Sequence, residues 1–575
     1  MNKKQLEEQI RIASGKEKAD LVMKNAKVVN VFSLEVIEAD VAVHNGLIAG
    51  VGNYSGKQEV DVNGQYMVPG LVDGHVHIES SMVQPQRFAQ VVVPHGVTTI
   101  VTDPHEIANV SGAQGVQFML DDSAGISLDA NFMLPSCVPA TPFENAGAKL
   151  TAVDLRTFYS HERVLGLAEV MDYPSVENTA PDMMDKLMDA GNKRGHIDGH
   201  GAGLPEAKLN VYRTAGVKTD HECTTAEEAK ARIRAGFYVM IRQGSAAKDL
   251  DALLPAVNAN NARKFMFCTD DKHIDELMER GSIDDHIRLA VKQGMDPLQA
   301  IQIATLNACE CYGFSDKGAI APGYQADFIL LNDLSAFEID RVYKNGECVA
   351  KNGELLVMKE IESDLPAAVK NTVTIPKITP ELLKIQANPS GEALTIELTP
   401  HSLVTGKKQF KLPVKESFFE ADPTQDVWKM AVVERHHNTG NIGLGFIKGL
   451  GLAGGAIAGT IAHDSHNLVA AGDSDEDLAL AIQHAAALGG GLVVVRNGQI
   501  LGELSLDIGG LMSSKPVAEV LRGLKQVDQA LEKLGFQGEF HPFSALSFMC
   551  LPVIPSLKLT DMGYFDSDRG EHVPV

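Results

Sequence analysis

Residues 68–81 read Val-Pro-Gly-Leu-Val-Asp-Gly-His-Val-His-Ile-Glu-Ser-Ser, an apolar segment that ends in a pair of histidines. Residues two apart on a strand point to the same side. His75 and His77 therefore offer two imidazoles to one metal ion from the end of a predicted strand. The alternative is a pair of surface histidines on an ordinary strand. The apolar lead-in and the turn residues before the pair disfavour it.

The chain on either side of this segment alternates between short apolar runs and helix-like stretches. The predicted strands are 68–77, 98–102, 130–134, 164–170, 196–200, 219–222, 238–242 and 264–269. Predicted helices lie between them, for example over 182–193 and over 225–235, where a capping pattern marks the start. Eight strands alternating with helices over about 250 residues predict a (β/α)₈ barrel with its chemistry at the C-terminal strand ends.

Those strand ends carry the side chains that a metal site needs. Glu169 and His221 lie one residue before the ends of predicted strands four and six, His200 ends strand five, and Asp270 follows strand eight directly. A carboxylate among apolar neighbours is costly unless it is paired or bound to a metal. Each residue taken alone is ambiguous, because a single histidine at a strand end also fits a structural role. Together with the first histidine pair they predict one metal-binding rim.

The barrel occupies residues 69–314 in this interpretation. Residues 1–68 are rich in short strands, including a hairpin signal at Asn45-Gly46, and a similar pattern returns over 315–365. We expect these two segments to form one small composite β-sandwich domain. Residues 370–575 follow a proline-punctuated stretch and predict a separate α+β C-terminal domain, with a helix over 478–488.

Composition limits the classes of partner and compartment. The formal net charge of -24 argues against a nucleic-acid partner, which requires clustered Lys and Arg. Seven scattered cysteines without a CxxC pair are typical of reduced thiols in a cytosolic protein. The N-terminus lacks a signal-peptide core, and the apolar run 449–462 is too short to span a bilayer. We expect a soluble cytoplasmic protein without a membrane partner, assembled as a homodimer or a higher homo-oligomer.

Several longer motifs resemble those of the bacterial adenine deaminases, within the amidohydrolase superfamily. They are the run 68–81, Thr-Asp-Pro-His-Glu-Ile-Ala-Asn at 102–109, Gly-Leu-Ala-Glu-Val-Met at 166–171, Phe-Cys-Thr-Asp-Asp-Lys-His at 267–273 and Ala-His-Asp-Ser-His-Asn at 462–467. The resemblance extends over essentially the whole chain. It implies hydrolytic deamination of adenine to hypoxanthine and ammonia in purine salvage, and a C-terminal domain of the adenine-deaminase type.

The resemblance also implies a binuclear metal centre. One metal would be held by His75, His77 and Asp270, the other by His200 and His221, and Glu169 would bridge them. Hydantoinases and dihydroorotases usually bridge their metals with a carboxylated lysine on strand four, where this chain has Glu169. Mononuclear deaminases carry a glutamate where this chain has Gly203. The resemblance favours Mn²⁺ or Fe²⁺, while an imidazole and carboxylate set also suits Zn²⁺.

The implied reaction is attack of metal-activated hydroxide on C6 of adenine. Asp270 would move the proton from water to the leaving amine, with Asp271 as the other candidate. Glu106, beside His105 after strand two, would donate a proton to the purine ring. A structural alternative for Glu106 is a carboxylate that interacts with a helix N-terminus.

The C-terminal domain carries two polar histidine clusters, one with His436 and His437 and one with His463 and His466. They could close the barrel mouth, bind a further ion, or form hydrogen-bonded turns within their own domain. Competing functions are another amidohydrolase activity, such as N-acyl deacetylation or deamination of a different nucleobase, and a scaffold that has lost catalysis.

Overall fold

The computed structural model describes residues 2–193, 195–245, 247–356, 365–399, 402–537 and 541–575. The chain begins with α1 (Lys3–Ala13), β1 (Ala19–Asn30), β2 (Glu35–His44), β3 (Leu47–Gly52), β4 (Gly56–Asp61) and β5 (Tyr66–Pro69). Strands β2 and β3 pair antiparallel across Asn45 and Gly46, whose φ angles are 50° and 74°. Positive φ at both turn residues is what a two-residue hairpin requires. The predicted hairpin is confirmed.

A barrel of parallel strands follows. Its strands are β6 (Leu71–Val76), β7 (Val97–Thr102), β8 (Asp129–Leu134), β9 (Val164–Val170), β10 (His196–Gly199), β11 (Thr219–Asp220), β12 (Tyr238–Arg242) and β13 (Phe265–Cys268). Two backbone contacts join the pieces into a ring: Lys218 N–H donates to Ile197 O at 2.9 Å, and Asp270 N–H donates to His75 O at 3.0 Å. The predicted TIM-like barrel is confirmed, and each predicted strand has its counterpart.

Helices connect these strands and cover the barrel. They are α2 (Pro85–Val92), α3 (His105–Asp122), α4 (Ala152–Leu155), α5 (Tyr173–Glu177), α6 (Pro181–Lys193), α7 (Glu206–Thr214), α8 (Ala226–Arg234), α9 (Leu250–Leu253), α10 (Ile274–Arg280), α11 (Ile283–Lys292), α12 (Pro297–Ile303) and α13 (Leu306–Tyr312). The predicted cap of α8 is confirmed, because Thr225 and Glu228 form a reciprocal capping box.

The single strand predicted over 68–77 is two strands, β5 and β6, which belong to different sheets. The break falls at Gly70, whose N–H donates to Asp327 O at 2.9 Å. A Cβ at Gly70 would lie 2.3 Å from Thr98 Oγ1, so only glycine fits this crossing between sheets. Strand β6 ends at Val76, which leaves His77 just beyond it.

After the barrel the chain returns to the first sheet with β14 (Phe328–Leu331), β15 (Ile339–Lys344), β16 (Glu347–Lys351) and β17 (Glu354–Leu355). Strand β14 pairs antiparallel with β5, with Ile329 opposite Val68. The two β-rich segments that flank the barrel therefore share one sheet. Residues 357–364 of the predicted segment lie outside the described residues.

The C-terminal part adds further strands and helices. Its strands are β18 (Ile385–Gln386), β19 (Glu392–Thr399), β20 (Ser402–Lys411), β21 (Val414–Lys415), β22 (Phe418–Phe419), β23 (Val427–Val433), β24 (Ile442–Lys448), β25 (Ala456–Gly459), β26 (Leu468–Gly472), β27 (Gly491–Arg496), β28 (Gln499–Ser505), β29 (Leu557–Thr560), β30 (Gly563–Asp566) and β31 (Glu571–Val573). Its helices are α14 (Asp475–Ala487), α15 (Val517–Lys533) and α16 (Pro542–Ser547). Alternate residues of β27 face opposite sides: Val493 packs with α14, and Val494 packs with α15.

This C-terminal part lies against the end of the barrel where the parallel strands finish. Ser513 N–H donates to Met82 O at 2.8 Å, and Asn145 N–H donates to Asp561 Oδ1 at 3.0 Å. The first contact follows β6 and the second follows β8, so both are made by barrel loops at the C-terminal strand ends. Within the described ranges, no helix combines the length and the apolar character that crossing a bilayer requires.

Candidate metal centre and substrate pocket

His75 and His77 converge at the end of β6, as the sequence predicts. Their Nε2 atoms lie 3.2 Å apart, and both side chains are buried. The Nδ1 atom of His77 lies 3.0 Å from the backbone oxygen of Asp103, which can only accept a hydrogen bond. Nδ1 therefore carries a hydrogen, and Nε2 is the ring nitrogen that His77 directs at Glu169 and Asp270. A carbonyl behind the ring is the usual support of a metal-binding histidine.

Glu169, at the end of β9, lies between the histidines of different strands. Its Oε1 is 3.1 Å from His77 Nε2, and its Oε2 is 3.4 Å from His221 Nε2. Among the described residues Oε1 has no hydrogen-bond partner with acceptable geometry, although it is buried. An ionised carboxylate in such surroundings is stabilised by a cation. The carboxylate is thus suited to contact two cations at once.

His200 and His221 follow β10 and β11 on the other side of Glu169. The ring of His221 stacks on that of His75 with centroids 4.3 Å apart. The centroid of the His200 ring lies 5.4 Å from that of His221. Glu222 Oε1 lies 3.7 Å from His200 Nε2 and 3.5 Å from His221 Nε2. Glu222 is a neighbour of this group that the sequence analysis left without a role.

Asp270 and Asp271 both line the pocket, although neighbouring strand residues face opposite ways. The reason is that β13 ends at Cys268 and Asp270 has a left-handed backbone with φ 57°. Asp270 Oδ1 lies 3.1 Å from His77 Nε2, and Asp270 Oδ2 accepts a hydrogen bond from Arg242 at 2.9 Å. Asp271 accepts a hydrogen bond from the Ser80 hydroxyl.

The ionisation states in this cluster follow from burial and from neighbouring charge. Burial, reinforced by the nearby His221, lowers the pKa of His75 to about 4, so this imidazole is neutral, the form that binds metals. Burial alone would raise the pKa of Glu169. The His221 and His77 imidazoles outweigh burial and hold that pKa well below its usual range.

These residues fit a pair of divalent cations. Sets of imidazole nitrogens and carboxylate oxygens lie within 4.8 Å of one another in overlapping groups. The groups are His75, His77 and Asp270; His75, Glu169 and His221; His200, His221 and Glu222; and His77, Asp103, His105 and Glu169. The Glu169 oxygen without a hydrogen-bond partner among the described residues and the facing Nε2 atoms of His75 and His77 have the donor chemistry that divalent cations require.

Glu106 and His105 begin α3 on the other wall of the pocket. His105 Nδ1 lies 2.9 Å from Asp103 Oδ2, and His105 Nε2 lies 3.4 Å from Glu106 Oε1. Glu106 also meets the C-terminal part of the chain, where His466 Nε2 contacts its Oε2 and His463 Nδ1 lies 2.9 Å from its Oε1. The sequence analysis placed Glu106 at the site and did not link it to these histidines.

Opposite causes set the charges around Glu106. Burial alone would raise the pKa of Glu106, but His463 and His466 hold it well below its usual range. Burial would lower the pKa of His463, yet the Glu106 carboxylate raises it to about 9. Burial dominates at His466 and lowers its pKa to about 4. At neutral pH the carboxylate therefore lies between one charged and one neutral imidazole.

The two C-terminal histidine clusters differ in position. His463 lines the pocket, whereas His436 Nε2 lies 2.8 Å from Ser465 O and His437 Nε2 lies 3.0 Å from Ala146 O. The first cluster thus matches the predicted hydrogen-bonded turn, although His437 also reaches a barrel loop. The second cluster reaches the barrel mouth.

Other pocket residues were missed because no local pattern marks them. Arg242, Asp464 and Phe548 line the pocket. Arg242 is the last residue of β12 and is buried. A cationic residue at the end of an apolar strand was the one sequence feature that could have indicated its place in the pocket. The apolar lining residues are Met171, Ala247, Phe548, Leu551 and Ile554.

Comparison with known proteins shows which family the chain resembles. Residues 66–349 match the amidohydrolase family, and residues 402–571 match the adenine deaminase C-terminal domain. The chain is 51% identical over 571 residues to the adenine deaminase of Geobacillus kaustophilus, covering 99% of each chain. It is 50% identical over 564 residues to the adenine deaminase of Halalkalibacterium halodurans, covering 98% of this chain and 96% of that one. Among solved structures, a beta-aspartyl dipeptidase from Fervidobacterium islandicum matches 60% of this chain and 100% of its own, with 18% identity and a TM-score of 0.45.

Proposed function

This chain belongs to the adenine deaminase family of amidohydrolases, and on that premise we propose that its barrel pocket hydrolyses adenine to hypoxanthine and ammonia. The observation that carries the proposal is the position of Glu169, whose two oxygens face the histidines of two separate groups. Such an arrangement suits hydrolysis with water as the nucleophile. Apolar side chains, among them Met171 and Phe548, line part of the pocket and suit the apolar faces of a planar base.

We propose that the metal ligands are His75, His77 and Asp270 for one ion, His200 and His221 for the other, and Glu169 for both. Divalent cations held by these ligands would lower the pKa of water and so would supply hydroxide at neutral pH. Imidazole and carboxylate donors accept Mn²⁺, Fe²⁺ and Zn²⁺ alike, and the family favours manganese or iron.

Asp270 is the proposed proton carrier. Its carboxylate accepts a proton from the water that attacks C6 and delivers it to the departing amine nitrogen. Arg242 holds Oδ2 at 2.9 Å and keeps Oδ1 directed at the histidines. Asp271, hydrogen-bonded to Ser80, is the alternative carrier.

Glu106 and His105 are the proposed contacts of the purine ring. Glu106 is ionised, so it has no proton of its own to give to the purine ring. The proton comes from His463 and reaches the ring nitrogen through the Glu106 carboxylate. His463 holds that proton in the resting protein, since its pKa is raised to about 9 by Glu106 against the effect of burial. Asp103 orients His105 through Nδ1 at 2.9 Å, which directs His105 Nε2 towards Glu106.

We also propose the division of the chain into a composite β-sandwich domain (1–68 with 315–365), the barrel (69–314) and the C-terminal domain (370–575). The shared sheet of β5 and β14 supports the first of these. A cytoplasmic homo-oligomer that acts in purine salvage is the biological setting that we expect.

The test is ultraviolet monitoring of the purified, manganese-supplemented protein with adenine, adenosine, guanine and cytosine. Turnover of adenine alone supports the proposal. Turnover of a different base in place of adenine contradicts it, as does activity confined to N-acyl substrates in a parallel deacetylation assay.

A further inference from the structure

The loop that carries His463 and His466 crosses from the C-terminal domain to the barrel and ends on a single carboxylate. His463 Nδ1 lies 2.9 Å from Glu106 Oε1, and His466 Nε2 contacts Glu106 Oε2. All three side chains are buried, with His466 only 1% exposed. The contact is therefore shielded from water. A hydrogen bond to a charged group is stronger in such a buried environment than in water.

The proton on His466 can be assigned from its other neighbour. The backbone N–H of Ala462 donates to His466 Nδ1 at 3.2 Å, which occupies the lone pair of that nitrogen. A neutral imidazole has one donor and one acceptor nitrogen, so its hydrogen is on Nε2. The bond between His466 and Glu106 is thus an Nε2–H donation to the carboxylate.

The same assignment decides between two interpretations of this cluster. Glu106, His463 and His466 are close enough to hold a cation. A histidine that binds a metal through Nε2 must carry its hydrogen on Nδ1, which the Ala462 N–H forbids. The cluster is therefore a hydrogen-bonded carboxylate and not a third metal site.

The backbone around His466 is itself fixed. The buried guanidinium of Arg435 donates to the carbonyl oxygen of His466 and, at 2.9 Å, to that of Gly509. His466 has a left-handed backbone with φ 53°, which such anchoring maintains. The backbone that carries the His466 imidazole is therefore held in place.

We propose that His466 is a positioning residue of the active site: its Nε2–H fixes the orientation in which Glu106 meets the purine. Through this contact the C-terminal domain determines the geometry of a barrel carboxylate. The proposal rests on the proposed function, because Glu106 is assigned there as a contact of the purine ring.

A pair of amide substitutions separates this role from simple packing. The amide nitrogen of His466→Gln can reach the position of Nε2, whereas the shorter His466→Asn places its amide near Nδ1. We expect His466→Asn to lower kcat/KM for adenine by roughly ten- to a hundredfold, as loss of a hydrogen bond to a charged group implies. His466→Gln should recover most of that loss.

A double-mutant cycle with Glu106→Gln is the second readout. If His466 acts through Glu106, His466→Asn adds little to the defect of Glu106→Gln. The control is His437→Asn, which removes another contact between the domains, at Ala146 O, outside the pocket. It should leave kcat/KM unchanged. Melting temperatures and metal content are measured for every variant.

The proposal is overturned if His466→Asn keeps the kcat/KM of the parent, if the two defects multiply in the double variant, or if Gln rescues no better than Asn. Loss of a third equivalent of metal in the His466 variants would also overturn it, in favour of a cation site. The outcomes are separate from the proposed function, which fails only if the parent protein does not deaminate adenine.

Discussion

His463 Nδ1 lies 2.9 Å from Glu106 Oε1, which joins the C-terminal domain to the pocket wall of the barrel. The other side of the His463 ring is covered by Phe548, whose ring is parallel to it at a centroid distance of 4.2 Å. A carboxylate at one edge and an aromatic ring on one face leave His463 little freedom of orientation. This restricted orientation suits the proton transfer that we propose for His463.

His463→Asn tests that role. The amide nitrogen of asparagine can replace Nδ1 at Glu106 but nothing replaces Nε2, so we expect kcat for adenine to fall about a hundredfold, as loss of a general acid implies. Steady-state kinetics and a melting curve are the measurements. His437→Asn, which removes a contact with Ala146 O outside the pocket, is the matched control. A normal kcat in His463→Asn would remove His463 from the mechanism.

Glu169→Gln should abolish deamination while the barrel stays folded. Gln is nearly isosteric, but it lacks the charge and the second ligating oxygen that a bridge between cations needs. Elemental analysis should show less than two metals per chain, and activity should fall by several orders of magnitude. Glu79→Gln is the comparison, because Glu79 is the alternative bridge: it is also buried, accepts a backbone N–H from Ile107 at 3.2 Å, and should keep both metals when replaced. Two metals and normal turnover in Glu169→Gln would move the bridge to Glu79 or Glu106.

Asp270→Asn and Asp271→Asn distinguish the two candidate proton carriers. Asp270 lies 3.1 Å from His77 Nε2, so its loss should reduce both metal content and kcat by at least about a hundredfold. Asp271→Asn should keep its metals and show the smaller change in kcat. Metal analysis beside kinetics provides the comparison. The reverse order of kcat values would assign the proton transfer to Asp271.

The free base should be a much better substrate than its nucleoside. Ribose hydroxyls placed against Phe548, Leu551 and Ile554 would lose water without gaining hydrogen bonds. We expect kcat/KM for adenosine to be lower than for adenine by at least about a hundredfold. That factor corresponds to the lower end of the free-energy penalty for burying hydroxyl groups without hydrogen-bond partners. Comparable efficiencies in a side-by-side ultraviolet assay would contradict this prediction.

Lys558 gives a prediction about stability that is independent of catalysis. It is fully buried in β29, and burial lowers its pKa to about 7 from 10.5. Between those pH values the unfolded chain binds the proton and the folded chain does not, so this residue makes stability rise with pH over that window. Below about pH 7 the lysine lowers the free energy of unfolding by its full amount.

The melting temperature of Lys558→Met relative to that of the parent should therefore be higher at pH 7 than at pH 10. Thermal unfolding at both pH values measures the difference. Lys415→Met, at an exposed position, should show no such trend. An advantage of Lys558→Met that is the same at both pH values would contradict the titration of Lys558.

The sequence determined the barrel and its ligand candidates because both are encoded locally. Each strand is a short apolar run, and His75, His77, Glu169, His200 and Asp270 each lie at or just beyond the end of one. Parallel strands that close into a ring bring all of their ends to one rim, so the convergence follows from the fold class without knowledge of any distance.

Details within single segments were harder to predict. The strand predicted over 68–77 crosses from one sheet to another at Gly70, and Asp270 and Asp271 share the pocket because the chain turns left-handed after β13. A hydrophobic pattern shows where a strand is. It does not show where hydrogen bonding to a neighbour ceases, and that point decides which way the next side chains face.

The contacts that complete the pocket were decided by tertiary structure alone. Nothing in the sequence near Glu106 indicates that His463 and His466 hold it, or that Arg242 holds Asp270. Local patterns reflect the periodicity of one helix or strand, whereas these pairs depend on how whole domains pack against each other. The sequence by itself determined the candidate metal ligands, and the packing of the C-terminal domain on the barrel decided which other residues line the pocket.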